Sequence, residues 1–262
     1  MIDLPRIPAP TGRPRHRKVP EVTPAFWTTK VLTTGMGEAT SDYLVHQILP
    51  VVAVALGAVG LGAALALQFA ARRYNPWIYW LAVALVAIFG TMAADFLHIE
   101  LRIAYVVSTV FFAIALAAVF AVWYGVERTL SIHTINSPRR EAFYWLTVMT
   151  TFALGTAAGD MTATTLHLGY FVSGILFTAL IAVPAIAHRW LGLNAVVSFW
   201  FAYILTRPLG ASFADWLGVS HQRGGLSWGT GAVSIGAAIL IAGAVAYLAA
   251  TQPASPDGAR AK

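Results

Sequence analysis

Apolar runs of about twenty residues recur along almost the whole chain, and short segments carrying most of the charge separate them. A helix rises about 1.5 Å per residue and a hydrocarbon core is about 30 Å thick, so runs of this length are what membrane-crossing helices require. The pattern predicts eight spans, at about 24–44, 48–70, 76–98, 102–124, 142–165, 169–188, 194–217 and 229–250. The first is the least apolar, because Lys30, Glu38 and Asp42 fall within it. Repetition along the chain is what places it with the others.

Four segments line up without a gap. Phe26-Trp27 leads to Gly37 and Asp42, and Tyr79-Trp80 leads to Gly90 and Asp95. Tyr144-Trp145 leads to Gly155 and Asp160, and Phe199-Trp200 leads to Gly210 and Asp215. Trp to Gly is ten positions and Trp to Asp fifteen in every copy. Successive Trp residues lie 53, 65 and 55 positions apart, as expected if a helix pair was duplicated and the product duplicated again. Each copy spends two spans, so all four run in the same direction across the bilayer. The expected fold is an all-α integral membrane protein whose eight transmembrane helices form four parallel two-helix repeats, over residues 21–73, 74–137, 138–190 and 191–250. A disordered basic arm, residues 1–20, precedes them, and a disordered tail, residues 251–262, follows.

Composition agrees: 58% of the residues are hydrophobic and 11% charged, where a soluble domain has about 45–50% and about 25%. The net charge of +6 does not indicate nucleic acid, because its distribution tracks topology. Arg6, Arg13, Arg15, Arg17 and Lys18 in the arm, Arg72, Arg73, Arg128, Arg139, Arg140 and Arg189 in loops, and Arg260 and Lys262 in the tail all fall on one side of the eight-span scheme. Arg102 and Arg223 fall on the other. The positive-inside rule makes the first side, with both termini, cytoplasmic. The arm has no apolar core of the kind a cleavable signal needs. With no cysteine, disulfides, thiolate ligands and thiol nucleophiles are excluded.

The repeated positions have physical roles. Trp27, Trp80, Trp145 and Trp200 each follow a basic segment, as interfacial anchors do. The aspartates lie about 22 Å further along, all at one depth in the outer half of the membrane. A carboxylate within a bilayer is costly, by about 2.5–3.5 kcal/mol at the centre and less near the interface. A ring of Asp42, Asp95, Asp160 and Asp215, joined by Glu38 with Glu100 nearby, therefore points to ion or proton binding. The alternative is structural, with each carboxylate capping a helix or pairing with Lys30 or Arg207 to set register. Gly37, Gly90, Gly155 and Gly210 precede Ser41, Ala94, Gly159 and Ala214 by four, a spacing that lets helices approach closely and puts the odd-numbered helices at the centre. His46, His98, His167 and His221 follow the aspartates and are candidate accessory ligands, although histidine at headgroup depth is also ordinary. Lys30 and Arg207 are intramembrane counter-charges. Arg207 is expected to pair with Asp160 or Asp95, and Pro208 marks a kink or break where an ion path passes.

Residues 18–42, Lys-Val-Pro-Glu-Val-Thr-Pro-Ala-Phe-Trp-Thr-Thr-Lys-Val-Leu-Thr-Thr-Gly-Met-Gly-Glu-Ala-Thr-Ser-Asp, together with the three later copies, resemble a bacterial family built of four tandem repeats of unknown function, whose members are uncharacterised membrane-anchored proteins. The resemblance spans about residues 18–250 and implies a bacterial inner-membrane location with two spans and one shared Trp per repeat. It carries no activity across, and Lys30 and Glu38 have no counterparts in copies two to four.

These features favour a secondary transporter or exporter of a small cation, either a divalent metal such as manganese or a proton-coupled ion. A non-transporting membrane scaffold is the alternative. No His-Glu-x-x-His or Gly-x-Ser-x-Gly motif supports an enzyme, no phosphate-binding loop supports nucleotide use, and no cofactor is called for. The expected partners are the lipid bilayer and a small cation.

Overall fold

Four helices begin on a polar residue that caps them. Thr23 accepts a hydrogen bond from the Phe26 amide, Ser137 from Arg140 and Asn194 from Val196, while Asn75 accepts from Trp77 and Ile78. Each cap satisfies an amide that a helix start leaves without a partner. Pro24, Pro76 and Pro138 follow three of the caps, where their fixed φ suits the first turn. These are the helices that carry the Trp–Gly–Asp motif.

The computed structural model describes residues 17–99 and 101–251. The capped helices are α1 (Pro24–Gln47), α3 (Pro76–Ile99), α5 (Pro138–Asp160) and α7 (Ala195–Gly218). Between them run α2 (Pro50–Ala70), α4 (Tyr105–Glu127), α6 (Gly169–Trp190) and α8 (Thr230–Ala250), none of which has a side-chain cap. The described residues contain no strand. Five helices, α2, α3, α4, α6 and α8, are long and apolar enough to cross a membrane.

The odd-numbered helices form a closed ring: α1 packs on α3 and α7, and α5 packs on the same two. Each even-numbered helix lies outside this ring, mainly against the odd helix of the next repeat: α2 on α3, α4 on α5, α6 on α7, and α8 back on α1. Burial follows the same division. Of the most apolar stretch of each helix, 44% is buried in α3 but only 11–22% in α2, α4, α6 and α8. Outer residues such as Leu56, Val59, Phe111, Ile114 and Ile239 point away from the bundle.

The ring closes on repeated contacts. Ten positions after each Trp, the glycine meets the residue seven positions after the Trp of the next repeat: Gly37 meets Ala87, Gly90 meets Phe152, Gly155 meets Arg207, and Gly210 meets Thr34. A methyl group added at Gly90 would lie 3.0 Å from the Phe152 Cβ, and the other three sites are tighter still. Glycine is used here because helix backbones approach this closely only without a side chain between them.

A second cyclic set lies at the Trp end. The aromatic residue before each Trp packs on the Trp of the next repeat: Phe26 on Trp80 at 5.7 Å between centroids, Tyr79 on Trp145 at 5.6 Å, Tyr144 on Trp200 at 6.2 Å and Phe199 on Trp27 at 5.6 Å. This corrects the reading of these residues as membrane-interface anchors. Trp80, Trp145 and Trp200 are buried between repeats and Trp27 is half-buried, because four helices meeting at one end leave a gap that bulky rings fill. The exposed tryptophans are Trp77, Trp190 and Trp228.

The boundary drawn for the basic arm also moves. Residues 17–19 pack on the bundle, with the Arg17 carbonyl accepting from the Tyr74 amide, the Lys18 amide donating to Ile135, and Val19 buried. The Lys18 ammonium donates to the Phe69 carbonyl and pairs at 2.7 Å with Glu141, which also accepts from Gln68. Of the other basic residues counted in the charge pattern, Arg6, Arg13, Arg15, Arg260 and Lys262 lie outside the described residues, as do Glu100, the other residues of the arm before Arg17 and residues 252–262 of the tail.

Candidate functional site

Arg207 is the centre of the polar interior. It is fully buried on α7, seven residues past its Trp, with its stem over Gly155 of α5. Its guanidinium pairs with Glu38 of α1 and donates to the hydroxyls of Thr91 of α3 and Thr156 of α5, the last at 2.8 Å. A longer contact of 3.5 Å reaches the Thr34 carbonyl. Glu38, Thr91 and Thr156 all stand eleven positions after the Trp of their repeat. Each of the other three repeats thus offers the same position to one guanidinium of the fourth. All three contacts are made by one terminal nitrogen, Nη2, while Nε has no hydrogen-bond partner among the described residues.

The expectation that Arg207 pairs with Asp160 or Asp95 is therefore corrected, for its partner is Glu38. A side chain leans toward the N-terminus of its own helix, here the Trp end, which takes Arg207 away from the Asp level. Glu38 lies one turn before Asp42 and is longer by one methylene, so it meets the guanidinium. Nor does Pro208 break its helix, since α7 runs continuously from Ala195 to Gly218. The ring of Pro208 sits against Gly155, where a side chain would collide with Arg207 and with the proline, and it packs in ordinary contact beside Gly159. The departure from α-helix occurs instead directly after Asp160, where Met161–Thr165 form a π-helical segment. Such segments are rare and are often found at functional sites.

Lys30 does not act as a partner for the carboxylates. Its ammonium is buried over the rings of Phe152, at 4.0 Å from the centroid, and Tyr203, at 4.3 Å, and it makes no hydrogen bond among the described residues. The negative faces of two rings take the place of a carboxylate.

The aspartates divide. Carboxylate oxygens of Glu38, Asp160 and Asp215 all lie within 4.8 Å of one another. Asp42 and Asp95 are half-buried and outside this group. Asp95 instead faces a cavity of about 170 Å³ that it shares with His46, Met92 and Phe96. The group is thus asymmetric, not a ring of four equivalent aspartates.

None of the four histidines belongs to the group. His46 turns to the Asp42 carbonyl, His98 to that of Ile103 and His221 to that of Gly225. His167 is exposed, with a positive φ of 56°. Thr91 and Thr156 were absent from the sequence-derived site. The signal was present: aligned on their Trp, the four copies read Glu38, Thr91, Thr156 and Ala211 at this position, polar in three of four.

Set beside known families, residues 25–74, 78–129, 143–192 and 198–253 each match the family described as Repeat of Unknown Function (DUF347). The chain belongs to this family. Its four matches contain the four Trp–Gly–Asp frames, so the DUF347 repeat is the helix pair described above. No curated protein and no solved structure matches the chain.

Proposed function

We propose that this chain is a multi-pass protein of the bacterial inner membrane that moves a small cation along the axis of its inner ring. In this reading all eight helices cross the bilayer as four parallel repeats, with both termini and the Arg72, Arg139 and Arg189 loops in the cytoplasm. The cyclic contacts between equivalent positions and the one-sided distribution of Arg and Lys support that arrangement. Three inner helices, α1, α5 and α7, are too polar to resemble ordinary spans, and they turn their charges toward one another inside an apolar shell. Intramembrane acids facing a bundle interior characteristically mark ion or proton paths.

The observation that carries the reading is the excess of negative charge around Arg207. Glu38, Asp160 and Asp215 cluster beside Arg207, Asp42 and Asp95 act on the same group electrostatically, and Arg223 adds one further guanidinium nearby, so five acids face two cations. Nothing in this cluster calls for bond-making chemistry. The test is flux in proteoliposomes holding the full chain, followed with indicators for protons and for divalent metals. Asp160→Asn and Asp215→Asn should lower the flux at least tenfold while leaving expression and thermal unfolding close to wild type.

The scaffold reading is favoured by one feature, the use of all four repeats to hold Arg207. It requires no flux above that of protein-free vesicles from wild type at any ion gradient.

A further inference from the structure

We propose that Glu38, Asp160 and Asp215 form a site for one hard divalent cation of the Mg²⁺ or Mn²⁺ class, and that Arg207 competes with this cation for Glu38. The inference rests on the cation-moving reading above and adds the binding residues, the ligand class and a built-in competitor.

The argument begins with charge. Three carboxylates share one neighbourhood with two guanidiniums: Arg207 is committed to Glu38, and Arg223, which donates to the Tyr170 hydroxyl, acts on Asp160 and Asp215 from further away, so the acids still outnumber the cations. Asp215 is the decisive residue. It is only 8% exposed, its carboxylate takes no hydrogen bond and no ion pair among the described residues, and it faces the other two acids. A buried carboxylate without a donor is strongly disfavoured unless a cation or a proton joins it. Asp160, beside it, likewise has no side-chain donor, and it stands where α5 gives way to the π-helical segment.

Geometry then selects the ligand. Mg²⁺ and Ca²⁺ hold oxygens at about 2.0–2.6 Å, so two oxygens on one ion lie no more than about 4–5 Å apart. The three carboxylates come near that limit, since their oxygens lie within 4.8 Å of one another, and the separation of about 4.2 Å that Mg²⁺ allows is reached when Glu38 swings from Arg207 toward the two aspartates. The donor set is oxygen alone, for the chain has no cysteine and none of the described histidines belongs to the group. Oxygen-only sites suit hard ions such as Mg²⁺ and Mn²⁺, not the softer metals that thiolates and imidazoles select.

Arg207 gives the site its second property. Its guanidinium sits on Glu38 from the Trp end, as a tethered cation next to the site. An incoming ion must draw Glu38 away from Arg207, and departure of the ion returns it. The two states use the same carboxylate, so binding is coupled to the ion pair of Arg207, the side chain that touches all four repeats.

The test measures binding of Mn²⁺ alone to the full chain in detergent, by electron paramagnetic resonance, alongside Mn²⁺ and proton flux in proteoliposomes. One Mn²⁺ should bind per chain. Glu38→Gln, Asp160→Asn and Asp215→Asn should each weaken binding at least tenfold, Asp42→Asn and Asp95→Asn less than threefold, and the control Glu127→Gln not at all. Arg207→Gln should tighten binding at least threefold, and Arg207→Lys, which keeps the tethered charge if the first variant does not fold, should bind as wild type. Equal weakening by all four aspartate variants, with Glu38→Gln silent, would overturn the three-carboxylate site while leaving the transport reading intact. Wild-type proton flux without Mn²⁺ binding would overturn the divalent site alone. Absence of any flux with Mn²⁺ still bound would instead sink the transport reading and keep the site.

Discussion

At the scale of single residues, the structure turns on one ion pair whose partner the sequence reading misplaced. Arg207 is matched with the aspartates because those are what the repeats share, whereas Glu38, placed with them as an ion-binding acid of the first copy alone, is not considered as its partner. The distinction that mattered was position rather than chemistry: at eleven residues past the Trp, every copy faces the axis, and what stands there is Glu38, Thr91, Thr156 or Ala211. Removing one member of a buried pair leaves an uncompensated charge, at a typical loss of about 3–5 kcal/mol. Arg207→Ala should therefore lower the thermal unfolding temperature in detergent markedly. Combining it with Glu38→Gln should recover more than half of that loss, because the stranded carboxylate is then gone. Rescue by Asp160→Asn or Asp95→Asn to the same extent would show that the ion pair has been assigned to the wrong acid. Lys30 carries a related lesson, since two rings hold its ammonium and no hydropathy pattern announces that Phe152 and Tyr203 come together around it.

At the scale of elements, the eight helices were legible because two independent signals coincide. Apolar runs gave their number, and the repeated Trp–Gly–Asp frame placed the first and least apolar of them. Only α5 begins clearly earlier than expected, at Pro138, since Ser137 caps a polar first turn that hydropathy alone does not assign to a span. What the pattern did not contain was neighbourhood. That the glycine of one repeat meets the seventh residue after the next Trp follows from the handedness and tilt of packed helices, which a linear motif does not encode. The same holds for residues 17–19, which read as part of a solvated arm but tie α1 to the starts of α3 and α5 through Lys18 and Glu141. Glu141 is fully buried, and Lys18 and Gln68 donate to its carboxylate. Lys18→Met should cost about 1–3 kcal/mol, as expected when a charge-assisted hydrogen bond to a buried group is lost. Arg72→Met, at the same end of the bundle, should change stability by less than about 0.5 kcal/mol. Equal melting temperatures for the two variants would mean that the Lys18 contact does not hold the segment in place.

At the scale of the whole molecule, the four repeats are arranged as a cycle rather than a row. α8 lies on α1 as α2 lies on α3, and Thr40 meets Ser234 while Tyr43 packs on Gly231, so the start of α8 runs beside the end of α1. If the bundle sits in the membrane as proposed, reporter fusions at position 262 and near position 221 should give opposite locations, and concordant reporters would refute the eight-span topology. The cyclic order has a sharper consequence. In a row of repeats the terminal units lack a neighbour and need distinct capping surfaces, and cutting an internal junction removes an interface. In a cycle every junction is equivalent, and the covalent break between the fourth and first repeats is only one of four positions at which the chain can open. A circular permutant that joins residues 252–262 to residues 1–16 and opens at 191–194, between α6 and α7, keeps every inter-helix contact described above. That connection is exposed at Leu191 and turns on Gly192, whose positive φ of 70° makes it a loop tip of the kind that tolerates new termini. The permutant should insert, purify as a single species and unfold within a few degrees of wild type. Opening the chain between Thr206 and Arg207 instead, inside the helix that carries the central guanidinium, should abolish folding. Failure of the first permutant under conditions where wild type is stable would show that the order of the repeats, and not only their cyclic contacts, specifies the fold.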